Sequence, residues 1–467
     1  MQKIGILDNG IDQKRLERDV ENKVIIDDTV ADRTGEIDLS VCEHGTICAL
    51  IIEKYLEDCS LHCVKILDEK GEGNLNNMSI ALDYYNISNI HIINNSMGTT
   101  YFQDKTTMRK IINHYGNKGF IIVAAASNDG FITYPASFSN VIGVEAGESF
   151  YTDQDKQFQK GVDFIAPSNH KIIIEGFSFY LGKSNSYATP YVVSMVGKLI
   201  GEKGIMSIDD MRALLADKRT TFVYSPDWIE KAWISPLYVG RRTEFYFDVE
   251  CKELSECIED IDTLVLCDST EINEYRDLKK HIVYLGNEII KSLDNGCRFW
   301  GIETRRIQII SSKKKNGVID IPVICCVFDK EADIIKEVCK LKNLFECSGY
   351  NAFTGCNLVD SPLYDIEYLP YDLVIPEKLD DFIYWQTYYQ QSDLIIIGTK
   401  SGVDLSMLHE EGFDMRIDFK YIDESIVVAI SIDGVFAQEI MYSCIDEEAI
   451  KGVYKFIIDR YEKKEDK

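Results

Sequence analysis

Four short segments in the first two hundred residues put polar side chains where chemistry is commonly done. Ile4-Gly-Ile-Leu-Asp8 is an apolar run that delivers a carboxylate at its carboxyl end and is followed by the turn glycine Gly10. In a doubly wound sheet, that edge is where ligands and catalytic groups gather, and the same aspartate would serve equally as a metal ligand, a phosphate neighbour or a helix cap. His44-Gly45-Thr46 opens a stretch of helical period, so the imidazole is either a base presented to the sheet edge or an ordinary exposed or core histidine. Phe120 to Ala126 is a small, apolar strand that stops abruptly at Ser127-Asn128-Asp129-Gly130. Asn128 there either donates its amide to a developing oxyanion or only shapes the turn. Ser184-Asn-Ser186-Tyr-Ala-Thr-Pro190 stands at the mouth of a helix expected over Ala188–Glu202, with the proline in its first turn. Backbone N–H groups at that end favour a nearby negative charge, and a simple cap is the alternative.

The four segments follow one another in the order Asp, His, Asn, Ser, and Asp…His…Ser is the chain order of the subtilisin triad. Residues 1 to about 205 resemble the subtilisin-like serine proteases, on Leu7-Asp8-Asn-Gly-Ile-Asp12, His44-Gly-Thr46, Ala125-Ala-Ser-Asn128-Asp-Gly130 and Ser186-Tyr-Ala-Thr-Pro190. Ile92-Ile-Asn-Asn-Ser96-Met97-Gly98, Tyr134-Pro-Ala136 and Phe164-Ile-Ala-Pro167 agree with it. The resemblance implies that Ser186 is the nucleophile, His44 the general base, Asp8 its orienting carboxylate and Asn128 an oxyanion donor. It also implies that Ser96, Met97 and Gly98 pair with the substrate backbone. The chain departs from the usual family pattern at Ser127, Ser184, Asn185, Tyr187 and Tyr191.

To hold these groups at one edge, the intervening sequence must build a parallel sheet. Short Ile/Val-rich runs at Lys3–Leu7, Cys63–Ile66, His91–Asn94, Phe120–Ala125 and Val141–Val144 alternate with helical patterns at Gly45–Leu56, Asn77–Asn86 and Lys105–Asn117. The fold expected is α/β: a subtilisin-like parallel sheet flanked by helices over residues 1–225, a connector over 226–242 and a second α/β domain over 243–467. Strands are expected there at Thr263–Cys267, Val323–Phe328 and Asp393–Gly398, and helices at Glu271–Leu293, Glu331–Leu341 and Glu377–Gln391. This second domain has no phosphate-loop motif, the turn after Phe328 reading Asp329-Lys-Glu-Ala-Asp333. It weakly resembles accessory domains of bacterial (clostridial) peptide-maturation proteins, which implies substrate recognition or dimerisation.

The 467 residues carry 77 acidic and 50 basic side chains, a formal charge of −27 whose excess lies mostly beyond residue 225. Such a field repels nucleic-acid phosphates and anionic lipid and attracts a basic peptide. No run of about 18 apolar residues is present, so no membrane partner is expected. The chain opens directly on a core strand without a secretion-signal pattern, and its 14 cysteines lack zinc-site spacing. These features point to a reducing cytoplasm and to no metal or cofactor. The function expected is an intracellular serine endopeptidase that cleaves a specific peptide or protein, such as the leader of a ribosomally made precursor with basic segments. A catalytically silent peptide-binding scaffold is the alternative, and self-association is left open.

Overall fold

In a computed structural model of the chain, the apolar amino-terminal run becomes the central strand of a sheet covered on both faces, as its near-continuous hydrophobicity requires. The structure describes residues 1–32, 44–68, 70–174, 176–216, 222, 224–240, 244–290, 297–409, 412–422, 425–443 and 447–465. It separates into two units, Met1–Glu230 and Lys231–Lys467.

Among the described residues, the first unit is built on an eight-stranded sheet. Its strands are β1 (Gln2–Asp8), β2 (Val20–Ile26), β3 (Thr29–Asp32), β4 (Cys59–Lys65), β5 (Ile92–Asn95), β6 (Ile121–Ala125), β7 (Val141–Gly147) and β8 (Phe164–Pro167). They lie in the order β3-β2-β4-β1-β5-β6-β7-β8, and all neighbours are parallel except the β2–β3 hairpin. The helices are α1 (His44–Tyr55), α2 (Leu75–Ile87), α3 (Lys105–Asn117), α4 (Gln154–Lys160), α5 (Asn185–Lys203) and α6 (Ile208–Leu215). Successive side chains of β1 alternate between the two faces. Ile4 and Ile6 enter the core packed by α1, α5 and α6, whereas Leu7 enters the one packed by α2 and α3. A separate hairpin, β9 (Lys171–Ile174) with β10 (Phe177–Tyr180), precedes α5. Docking of α6 is fixed by a buried ion pair in which the Arg212 Nε donates to Asp163 at 3.0 Å while Nη1 donates to the Ser139 carbonyl.

The stretch read as a connector is divided between the units. Trp228 is 1% exposed, and the Asn113 side-chain amide donates to the carbonyls of Asp227 (2.8 Å) and Ile229 (3.0 Å), so residues 226–230 finish the first unit. The next residues form β11 (Lys231–Ile234), a strand of the second unit.

Among its described residues, that unit contains two sheets. β11, β12 (Asp248–Glu250), β13 (Thr263–Leu266), β14 (His281–Tyr284) and β15 (Phe299–Trp300) form a parallel sheet in the order β12-β11-β13-β14-β15, with the short helices α7 (Leu254–Cys257), α8 (Ser269–Tyr275) and α9 (Ile302–Ile310). The helix expected over Glu271–Leu293 is therefore wrong beyond its first turns. Lys279 turns the chain at φ 53°, and Ile282 and Val283, both fully buried, serve a strand between two neighbours. Residues 291–293 lie outside the described residues. The second sheet comprises β16 (Val323–Phe328), β17 (Ala352–Cys356), β18 (Glu367–Tyr368), β19 (Leu394–Lys400), β20 (Met415–Ile422), β21 (Ser425–Ile432) and β22 (Val435–Tyr442). Its order is β18-β17-β19-β16-β20-β21-β22, packed by α10 (Glu331–Cys347), α11 (Pro376–Gln390) and α12 (Glu447–Glu465), with the last two pairings antiparallel. Among the described residues, no helix is long and apolar enough to cross a membrane.

Candidate active site

The sheet brings the carboxyl ends of β1, β5 and β6 side by side, and the residues singled out in the sequence sit there. Asp8 is the last residue of β1 and is fully buried. Its carboxylate accepts the Nδ1–H of His44 at 2.9 Å and the backbone N–H of Asn9 at 2.8 Å. With the Nδ1–H held by Asp8, the neutral form of the ring keeps its lone pair on Nε2, the tautomer a general base needs. The helix carrying His44 is tied to β1 at its first turn, where the Gly45 N–H donates to Asn9 Oδ1 (3.1 Å) and the Asp12 N–H donates to Thr46 Oγ1 (2.8 Å). Gly45 is required for that approach. A Cβ there would lie 2.5 Å from the Gly10 carbonyl oxygen and 3.0 Å from the Asp8 Cβ.

Ser186 lies in the first turn of α5, which starts at Asn185, three residues earlier than its sequence suggests. The proline is therefore interior to the helix. Pro190 has no N–H to give the carbonyl four residues back, and that carbonyl is Ser186 O. Other donors satisfy it: Ser96 Oγ at 3.2 Å and the Cys48 thiol at 3.7 Å. Ser96 in turn is held by the Asn94 amide at 2.9 Å. The Ser186 hydroxyl donates to the Ser96 carbonyl at 3.2 Å. A hydroxyl has one proton, so in this arrangement it is not given to His44.

Asn128, exposed three residues beyond β6, uses its side-chain oxygen to accept the Asn185 N–H at 2.9 Å. This assigns the amide NH2 to the open side of the turn, where it can be donated. Asn185 is buried and fully engaged: its NH2 donates to the Ala126 and Ser127 carbonyls and its oxygen accepts the Ala146 N–H. One side chain thus binds the end of β6 and β7 to the start of α5.

Residues 1–228 match the Subtilase family, peptidase S8. They form a subtilase-family domain. The chain is 28% identical over 183 residues to the minor extracellular protease Epr of Bacillus subtilis (strain 168), covering 36% of this chain and 27% of that protein. It is 30% identical over 236 residues to the thermophilic serine proteinase of Bacillus sp. (strain AK1), covering 46% of this chain and 57% of the other. The chain therefore spans about half, or less, of the length of these curated relatives. A crystal structure of a lanthipeptide protease aligns over 46% of this chain and 78% of its own, at 16% identity and a TM-score of 0.36.

In the subtilase domain, Ser96 follows β5 directly and is buried, Met97 is half-buried and Gly98 is exposed. Gly98 packs so closely that a Cβ would meet Thr133 Cγ2 at 2.4 Å. Beside this segment lies a cavity of about 280 Å³ lined by Leu67, Leu75, Met78, Met97 and Met108 among others, flexible apolar side chains that adapt to what they hold.

Sequence reasoning missed Asn9, Cys48 and Asn185. Cys48 is four residues after His44, one turn of α1, and its spacing alone could have drawn attention to it. Its sulfur is 3.9 Å from His44 Nδ1 and 3.4 Å from Ser96 Oγ. The neighbouring sulfur is the largest of the effects that hold His44 well above the usual imidazole range; burial opposes it and the hydrogen-bonded Asp8 carboxylate reinforces it. The ligand atoms of Asp8, His44 and Cys48 all lie within 4.8 Å of one another and are the group best placed among the described residues to hold a metal. A metal on His44 Nδ1 would have to displace the bond to Asp8, so the set as arranged serves the imidazole.

Proposed function

We propose that the first unit is a serine endopeptidase in which Ser186 is acylated by a peptide carbonyl. The observation that carries this reading is the buried Asp8 holding His44 Nδ1–H at the sheet edge shared with Ser186 and Asn128. Rotation of the Ser186 Oγ–H from the Ser96 carbonyl towards His44 lets Nε2 take the proton as Oγ bonds to the carbonyl carbon. The carbonyl oxygen becomes an oxyanion facing the Asn128 NH2 and the Ser186 N–H. The C–N bond then breaks, and the amine leaves with the proton from His44. Water, deprotonated by the same nitrogen, releases the acid and restores Ser186. Ser96, Met97 and Gly98 would pair with the substrate backbone as an added strand while the methionine-lined cavity takes an apolar side chain.

The proposed substrate is a specific peptide or protein with basic segments, such as a ribosomally made precursor whose leader is removed. The net charge of −27 supports this choice, and the second unit is the proposed recognition or self-association module. Cys48, Cys325 and Cys326 are buried free thiols, which supports a reducing compartment, the cytoplasm. A phosphate is disfavoured at one helix start of the second unit. The α8 N-terminus, at the edge of its five-stranded sheet, already carries a carboxylate: Glu271 accepts the N–H groups of Cys267 (2.8 Å) and Asp268 (3.1 Å).

The hydrogen bond from Ser186 to the Ser96 carbonyl favours a second reading, a peptide-binding scaffold without turnover. Labelling of the full chain by a fluorophosphonate separates the two. Catalysis requires an adduct on Ser186 that disappears in Ser186→Ala and His44→Ala; a folded wild-type chain that stays unlabelled with candidate peptides present supports the scaffold.

A further inference from the structure

His170 is 2% exposed, in the turn between β8 and β9, and nothing in the proposed reaction uses it. Its Nε2 is 3.1 Å from the Tyr187 carbonyl oxygen. A carbonyl only accepts, so Nε2 carries the proton and Nδ1 of the neutral ring is an acceptor. The Tyr55 hydroxyl, 3.0 Å from Nδ1, supplies the matching donor. Burial lowers the tendency of this ring to take a second proton, which preserves that pairing. Tyr191 stacks on the imidazole at 5.8 Å and 21° and meets Tyr55 edge-on at 5.0 Å, fixing the plane of the ring.

What this relay joins is specific. Tyr55 is the last residue of α1, whose first residue is His44. Tyr187 directly follows Ser186, and its own ring stacks on the His44 imidazole at 5.7 Å and 24°. Its backbone is therefore pinned from behind by His170 while its ring faces the base. Pro190 makes this first turn of α5 poorer in helical hydrogen bonds than most, so an outside tie there has more to hold.

On the reading of Ser186 as nucleophile, we propose that His170 is a positioning residue that fixes the first turn of α5 against α1, and so sets the approach of Ser186 Oγ to His44. Its replacement by glutamine keeps both bonds, since an amide NH2 can donate to the Tyr187 carbonyl and an amide oxygen can accept from Tyr55. Replacement by leucine keeps volume and burial but neither bond.

The test is the kinetics of fluorophosphonate labelling of the full chain, resolved into kinact and KI, with melting temperature measured alongside. His170→Leu is expected to lower kinact about 10- to 100-fold, the scale of a small misplacement of reacting groups, with KI unchanged. His170→Gln should recover kinact to within a few-fold of wild type. Tyr55→Phe, which removes one hydroxyl, should lower kinact by a smaller factor and keeps the test alive if the leucine variant does not fold. Wild-type kinact in His170→Leu or in Tyr55→Phe overturns the inference. So does an equal loss in the glutamine and leucine variants, which marks a purely structural role. A folded wild-type chain that is not labelled on Ser186 overturns the catalytic reading itself, and this inference with it.

Discussion

At the scale of single residues, the proposed chemistry depends on one proton's position. His44 must be neutral at Nε2 to act as a base, and its affinity for a second proton is raised by Cys48 and Asp8. A raised pKa in a base moves the acid limb of the rate upward in pH. Labelling of Ser186 should therefore rise with pH through a midpoint above the ordinary histidine value of about 6.5. Cys48→Val removes the largest raising influence and should bring the midpoint down; a wild-type midpoint at or below 6.5 would contradict this account. The same raised pKa means that protonated His44 stabilises the fold below the unfolded value, and that this stability is lost as pH rises through the folded one. Asn128→Leu should reduce turnover of a cleavable peptide by about 100- to 1,000-fold, the scale found for losing the corresponding donor in subtilisin, with little change in KM.

The elements matter through how closely they approach. β1 and α1 meet at Gly45, where a methyl group has no room against the Gly10 carbonyl. Gly45→Ala must displace the first turn of α1, and it should reduce labelling of Ser186 more than it lowers Tm, because the shift falls directly on His44. Asn185 works similarly between β6, β7 and α5. Truncating it in Asn185→Ala leaves buried carbonyls and an N–H without their partner and should destabilise the first unit by about 1–3 kcal/mol in denaturant titration. The four chemical segments were legible in the sequence because each sits at the end of a strongly patterned strand or helix. Asn9, Asn185 and His170 were not, since their partners are backbone groups supplied by residues far away or by a turn that no pattern announces.

For the whole molecule, the boundary between units is a prediction about truncation. A chain ending at residue 230 keeps Trp228 and the carbonyls that satisfy Asn113 and Asn140. One ending at residue 225, where the sequence alone suggested the boundary, loses a buried tryptophan, both carbonyls that accept from the Asn113 amide and one of the two acceptors of the Asn140 amide. The longer fragment should show the higher melting temperature by calorimetry, and equal temperatures would refute the assignment of residues 226–230 to the first unit's core. The second unit was the harder one to read. Its alternating apolar runs announced α/β structure, but a short strand such as Ile282-Val283 and one turn of a buried helix look alike until neighbours are present to pair with the strand.

The sequence by itself determined the order of the chemical groups, the parallel α/β architecture that carries them and the acidic character of the chain, because local pattern and composition are properties of the chain alone. Only the tertiary structure decided the hydrogen-bonding state of those groups. It turned the Ser186 hydroxyl to the Ser96 carbonyl, put Cys48 behind His44, and linked Tyr55 through His170 to the residue after Ser186. These contacts join residues up to 115 positions apart in the chain, and hydrogen-bond direction and burial exist only once such segments are packed together.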